Sequence, residues 1–385
     1  MSGFDVLMIA DIRFAGGTSA AMIADVEAFR ALGARVGLLP VRSAFLSDAT
    51  DRPNPAVEAL FDLDGVARAS AASAVRAELA FLHHPLVFFH GVEERVAVQA
   101  DRAAMVVHQT PFRGDGSLEY DPLMTQRRVR KAFGLKPLWA PISGLCRRQL
   151  ETFAPLLRLT SEDWINVFDP GEWRPTRPIF DSPAVTIGRH GRADPLKWPE
   201  TAEAVAASLP EGPRRRIRVM GAPEAHLASL GVDMSGWEVV PFRGEPVTDF
   251  LDTLDVFAFH HHPRWVETFG RTVAEAALKA RLAIVDPALA PTFGDLAIPV
   301  PVAEVDAAIR RFEEAPAAAR ARGEDARRIA VARYSVASVE GRWRRLLKDE
   351  GVALRGAADR GGRTPPLTAL RKLAGLYRRR AAARG

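Results

Sequence analysis

One pattern, present twice, constrains this chain more than any other feature. A short apolar strand runs into a glycine-bearing or basic loop and then a helix, first near residue 5 and again near residue 184. The first copy has a strand at 5–10, a loop at 11–18 carrying Gly16 and Gly17, a helix over about 19–32 ended by Gly33, and a strand at 36–39. That order opens a nucleotide-binding α/β domain, in which helices cross over between parallel strands. Two further apolar runs, 86–89 and 104–107, read as strands, each leading to a histidine, His90 or His108. Pro170, Pro175, Pro178 and Pro183 then punctuate 169–183, which reads as an interdomain linker. Beyond it a strand at 184–187 enters Gly188 and Arg189, a helix follows over 198–208, and strands at 216–220, 238–241, 255–259 and 282–285 alternate with helical segments. The expected fold class is α/β, with two Rossmann-like doubly wound domains. A length of 385 residues suits two domains.

Composition narrows the setting. The single cysteine, Cys146, excludes an intrachain disulfide and fits a reducing compartment. The N-terminus opens directly on a strand, without the basic and long apolar regions of a signal peptide. No apolar run reaches the roughly 20 residues of a membrane span, so a cytoplasmic location is expected. The net charge of +5 is unevenly spread: residues 354–385 carry nine Arg/Lys against one Asp, a balance of +8, which leaves −3 for the rest. The basic character belongs to the tail, and the body gives no reason to expect nucleic-acid binding.

The chemistry concentrates at 265–280. Glu267 and Glu275 are separated by seven residues, with Phe269, Gly270, Arg271 and Thr272 between them. Glu267 falls in the loop beyond the strand at 255–259, and Glu275 early in a helix of good formers. The amides at the start of that helix form an anion site. Carboxylates that accept hydroxyl hydrogen bonds, beside amides that hold phosphate, are what a nucleotide-sugar site needs.

With Arg189 and Lys197 upstream, this Glu-x7-Glu arrangement resembles the retaining group 1 glycosyltransferases of GT-B fold, over roughly residues 1–345. The resemblance implies two Rossmann-like domains facing a cleft. An acceptor-side domain would cover 1–168, a linker 169–183, a nucleotide-sugar domain 184–335, a closing helix 336–352 and a basic tail 353–385. It implies a metal-independent hexosyltransferase with no cofactor beyond its donor, a nucleoside-diphosphate sugar, and a glycan, lipid-linked or envelope acceptor. By the same resemblance Glu267 contacts sugar hydroxyls and Glu275 the ribose. Amides of Phe269, Gly270 and Arg271 hold sugar and phosphates, and Arg189 and Lys197 stabilise the departing diphosphate. Gly16 and Gly17 match the glycine loop of the N-terminal domain, with Arg13 beside it as an acceptor contact. His108 matches the strand-end histidine near the donor sugar, with His90 as its rival. Phe242 and Arg243 lie where such enzymes read the base.

Two departures stand out. The family often places four residues between its Arg and Lys; Arg189 and Lys197 have seven, whereas Arg192 and Lys197 have four, so Arg192 stays open as the diphosphate ligand. The family's small-Gly-Pro turn after the second glutamate is absent from 278–282, Leu-Lys-Ala-Arg-Leu. His260, His261 and His262 at a strand end point in different directions, so metal binding is not expected. Trp198, Trp237 and Trp265 read as packing residues. In the tail, Leu367, Leu370, Leu373, Leu376 and Tyr377 recur at helical spacing among arginines, which fits peripheral contact of residues 366–380 with an anionic membrane face. Two other functions are compatible with the same residues: a GT-B-fold nucleotide-sugar epimerase, and a non-catalytic sugar-nucleotide-binding protein.

Overall fold

The computed structural model describes residues 3–14, 16–46, 52–353 and 364–382. The chain forms two compact units, one of residues 1–168 with 336–385 and one of residues 169–335. Among the described residues no helix is long and apolar enough to cross a membrane.

In the first unit β1 (Gly3–Ala10), β2 (Val36–Pro40), β3 (Val66–Arg68), β4 (Val75–His83), β5 (Val98–Val107) and β6 (Leu138–Pro141) form one sheet in the order β3-β2-β1-β4-β5-β6. Every pairing is parallel. Their helices are α1 (Gly17–Ala31), α2 (Pro55–Glu58), α3 (Pro85–His90), α4 (Pro122–Phe133) and α5 (Gly144–Leu150). The central strands are buried on both faces, as a parallel sheet covered by helices requires, so they read as unbroken apolar runs such as Val6 to Ile9. The run 86–89, expected as a strand, is instead α3. Pro85 stands at its first turn, where a preset φ and a missing N–H suit a helix start, and a short apolar run alone cannot distinguish strand from buried helix. The strand of that region is β4, whose outer half alternates buried and exposed residues and so lacks a conspicuous apolar run.

The second unit repeats the topology. Strands β7 (Val185–His190), β8 (Arg215–Met220), β9 (Trp237–Val240), β10 (Val256–Phe259), β11 (Leu282–Val285) and β12 (Ile298–Pro299) order as β12-β11-β10-β7-β8-β9, again all parallel. Read from the first strand of each unit, both sheets have the order 3-2-1-4-5-6 of a doubly wound dinucleotide-binding fold. Helices α6 (Ala202–Ser208), α7 (Glu224–Leu230), α8 (Val247–Thr253), α9 (Arg271–Leu278), α10 (Ala290–Phe293), α11 (Val305–Glu314) and α12 (Pro316–Tyr334) complete the unit. Helix α6 begins later than the expected 198, because Thr201 caps it by accepting from the Ala204 N–H. The proline-punctuated 169–183 segment is anchored within this unit. Ile179 and Phe180 are buried, and Arg177 pairs with Asp255 at 3.0 Å and Asp181 at 2.8 Å.

The chain then returns to the first unit as α13 (Ala337–Leu347) and α14 (Pro366–Ala382). In α13, Trp343 meets the Phe29 ring edge-on at 5.2 Å, and Arg342 lies 5.1 Å over Trp164 while donating to the Ile165 carbonyl at 2.7 Å. In the glycine- and proline-rich stretch 361–366 that precedes α14, residues 361–363 lie outside the described residues.

Where the family-like turn is missing after α9, Ala280 takes a left-handed φ of 57°. The turn is held by buried Arg281, which donates to the carbonyls of Lys279, Leu254 and Arg177. Strand β7 has a stricter requirement. A Cβ at Gly188 would lie 2.0 Å from the Arg218 carbonyl oxygen and 2.8 Å from Leu254. Backbone cannot yield as a side chain does, so Gly188→Ala should destabilise the protein by about 3 kcal/mol or more, read as a lower urea midpoint.

Candidate functional site

In open parallel sheets, ligands bind beyond the carboxyl ends of the strands, where the winding direction reverses. In the second unit that point lies between β7 and β10. Arg189 and His190 end β7, with Lys197 in the following loop; Glu267, Phe269 and Gly270 follow β10, leading into α9 with Arg271 and Glu275.

Lys197 Nζ lies 3.4 Å from Glu267 Oε2 and 5.3 Å over the Trp265 ring. Trp265 Nε1 donates to the same carboxylate oxygen at 3.0 Å. Lys197 and Glu267 keep 15% and 13% of their side-chain surface, so both are sheltered yet reachable. Trp265, expected only to pack, is thus a direct partner of the leading carboxylate. Gly270 caps α9 at φ 83°, and a Cβ there would crowd Glu267 Cγ at 3.2 Å and Phe293 at 3.3 Å. Glycine therefore lets the loop turn with Glu267 close against it.

Arg189 is more deeply placed than an anion ligand needs to be. Its guanidinium lies 4.3 Å over Trp198 and 4.7 Å over Phe259, and donates to the carbonyls of His260 at 2.8 Å and Lys197 at 2.6 Å. Burial lowers its pKa to about 9, against the opposing charge of Glu267. Arg192 is two-thirds exposed and lies 3.9 Å from Asp194. Neither arginine reaches Glu267 as Lys197 does; Arg189 fixes the loop from which Lys197 extends.

Glu275 is buried on α9, with Arg271 Nε at 3.6 Å and His190 Nε2 at 3.4 Å from its two oxygens. Burial raises its pKa, opposed by Arg271 and Lys197. His190 was not singled out in the sequence. Its ring packs among Phe250 and Phe257, and burial, then the charges of Lys197 and Arg189, lowers its pKa to about 3. A histidine following Gly188-Arg189 was the one available signal. The His260–His262 rings go to three different partners: the Val300 carbonyl at 2.9 Å, the His262 carbonyl at 3.0 Å and Glu200 at 3.4 Å. Trp198 is buried and stacks on Trp237, while Phe242 is exposed.

In the first unit the switch point lies between β1 and β4. Gly16 caps α1 there with φ 85°, and Gly17 is the first residue of the helix. Arg13 is engaged with Asp11 at 2.7 Å and with the carbonyls of Ser43 and Leu46. His108 stands just past β5 and shares a hydrogen bond of 3.1 Å with His83, whose other nitrogen meets Met8 Sδ at 3.2 Å. His84, at φ 73°, stacks 6.2 Å from His108 and lies tilted 4.7 Å from Phe14. Burial lowers the pKa of His108 to about 3, and those of His83 and His84 also fall. The imidazoles of this cluster are neutral. His90 lies apart from them at the end of α3.

An exposed histidine titrates near 6.5, whereas folded His190 stays neutral down to about pH 3. Over that window the unfolded chain binds the extra proton, so this residue's contribution to stability is lost as pH falls from 6.5 towards 3. Relative to His190→Phe, which cannot titrate, the wild type should lose about 1 kcal/mol per pH unit across that window in urea unfolding.

No protein-family profile matches the sequence, and no curated protein matches it. Solved structures do match. Anabaena HepE, determined in complex with UDP, is 14% identical over 89% of this chain and 99% of its own, with a TM-score of 0.61. A glycosyltransferase from Rickettsia africae ESF-5 is 11% identical over 90% and 100%, with a TM-score of 0.54. AviGT4, a glycosyltransferase involved in avilamycin A biosynthesis, is 16% identical over 89% and 98%, with a TM-score of 0.52. At such identities the likeness is one of fold: this chain has the two-domain α/β architecture of the GT-B type.

Proposed function

We propose that the protein is a retaining glycosyltransferase that moves a hexose from a nucleoside-diphosphate sugar to a glycan, lipid-linked or envelope acceptor in the cytoplasm. The observation that carries this reading is the Lys197–Glu267–Trp265 group at the start of α9, at the switch point of the second sheet. The first N–H groups of a helix lack intrahelical partners and favour phosphate. The diphosphate is assigned to this end of α9, with Lys197 as its fixed cation. Glu267 accepts from sugar hydroxyls and Glu275 from the ribose. As the bond from the anomeric carbon to phosphate breaks, charge grows on the diphosphate, where a preplaced cation stabilises it most. The acceptor oxygen bonds to the anomeric carbon, and its proton passes to the departing phosphate. No step is assigned to a metal.

In the first unit, Gly16, Gly17 and neutral His108 form the acceptor and sugar side, where uncharged ring nitrogens suit hydroxyl groups. The fold neighbour HepE was also solved with UDP-glucose, which makes UDP-glucose the first donor to try and UDP the first nucleotide.

The test pairs a thermal-shift panel of nucleoside diphosphates and their sugars with a transfer assay. One nucleotide should stabilise the wild type, and Lys197→Ala should abolish that shift. Glu267→Ala should cut kcat/KM by about 100-fold or more without lowering the unliganded melting temperature. Near wild-type turnover in Glu267→Ala would overturn the roles assigned, and no shift with any nucleotide would overturn the donor site.

A further inference from the structure

Helix α14 is built as an amphipathic layer on the first unit, with apolar side chains exposed on its outer side at Leu367 and Leu370. Its inner side holds Ala369 and Leu376, both buried. It is pinned to the segment before α4 by polar contacts. Lys372 Nζ reaches the Gly116 carbonyl and lies 5.3 Å over the Phe112 ring, Arg379 donates to the Leu118 carbonyl at 3.0 Å, and the Tyr377 hydroxyl donates to Asp121 at 2.6 Å. On the outer side Leu367, Leu370 and Tyr377 are 73%, 61% and 40% exposed. With exposed Ala374 and Ala381 they follow helical spacing along one stripe, flanked by exposed Arg371 and Arg378. The helix contains Arg371, Lys372, Arg378, Arg379 and Arg380 and no acidic residue.

The positive surface extends beyond the helix. Arg380 lies 4.5 Å over the Phe89 ring, and Arg128 of α4 approaches that ring at 5.9 Å. Beside it opens a cavity of about 320 Å³ lined by His90, Arg95, Arg128 and Lys131. Helix α4 adds exposed Arg127 and Arg130 and likewise has no acidic residue.

We infer that α14, with the basic cavity beside it, is a docking surface for an anionic lipid bilayer. Leu367 and Leu370 enter the headgroup boundary, while the arginines and the cavity meet lipid phosphates. Exposed leucines distinguish this surface from a purely electrostatic nucleic-acid patch, which has no use for them. A two-fold contact between copies would set the basic stripe against itself, like charge on like charge. An anionic bilayer satisfies the leucines and the arginines together. The inference is independent of the donor site, which lies in the other unit.

The test is co-sedimentation of the full chain with vesicles of phosphatidylcholine alone, or with about one-third phosphatidylglycerol. The wild type should bind the anionic vesicles and not the neutral ones, and binding should weaken about tenfold or more at about 0.5 M salt. Leu367→Glu/Leu370→Glu and Arg371→Glu/Arg378→Glu should each reduce binding about tenfold or more, with unchanged thermal unfolding, since all four side chains point to solvent. No vesicle binding, equal binding to neutral vesicles, or undiminished binding in either double variant would overturn the inference. So would a wild-type dimer in sedimentation velocity that dissociates in Leu367→Glu/Leu370→Glu without any vesicle binding.

Discussion

The site in the second unit depends on one buried cation. Arg189 ends the first strand of its sheet, and its guanidinium holds one carbonyl from the loop that follows that strand and one from the end of the neighbouring strand. The two loops that flank the switch point are thereby tied through one planar group, wedged between Trp198 and Phe259. A guanidinium suits this task because its fork of donors satisfies several acceptors at fixed angles, and aromatic faces offset part of the lost hydration. Its pKa of about 9 leaves it charged at neutral pH despite full burial. Lys197 can then present its ammonium at a set, reachable position, because the backbone that carries it is held from below.

Much of the architecture was legible in the sequence because parallel strands buried on both faces must be apolar throughout. Residues 6–9, 104–107 and 282–285 announce themselves that way. Strand β4 did not, since its exposed half carries Arg76 and Glu78 and only its inner half is apolar. The run at 86–89 misled for the complementary reason: it is equally apolar as a helix, and only Pro85 betrays it. The placing of Glu267 and Glu275 followed from strand and helix ends. The depth of Arg189 and the contact of His190 with Glu275 did not, because burial of a charged side chain depends on what the other strands bring over it. The missing glycine turn after α9 was visible as a departure. Its replacement, a left-handed Ala280 braced by Arg281, involves carbonyls some 27 and 104 residues away and is invisible to local pattern.

The two units offer different chemistry at equivalent points of the same topology. At its switch point the second unit gathers lysine, arginine and carboxylates, whereas the first gathers, beside the Arg13–Asp11 pair, neutral imidazoles and aromatic rings around His83, His84 and His108. Burial keeps the protons off these rings, and for His83 and His84 the charge a neighbouring histidine would carry adds to it. A repeated scaffold thus carries a lysine–carboxylate group at this point in one copy and a cluster of neutral imidazoles in the other, set by a handful of residues past the strand ends.

The return of α13 to the first unit has a consequence for how the molecule is made. Its Trp343 and Arg342 complete the layer over Phe29 and Trp164, residues that leave the ribosome far earlier. The second unit is a single uninterrupted stretch and has all its parts as soon as residue 335 emerges. The first unit, although its sheet is synthesised first, must wait with an uncovered apolar face until the whole of its neighbour has been translated. Domains generally mature in the order of synthesis; here the first unit is complete only once α13, which follows the second unit in the chain, has been made.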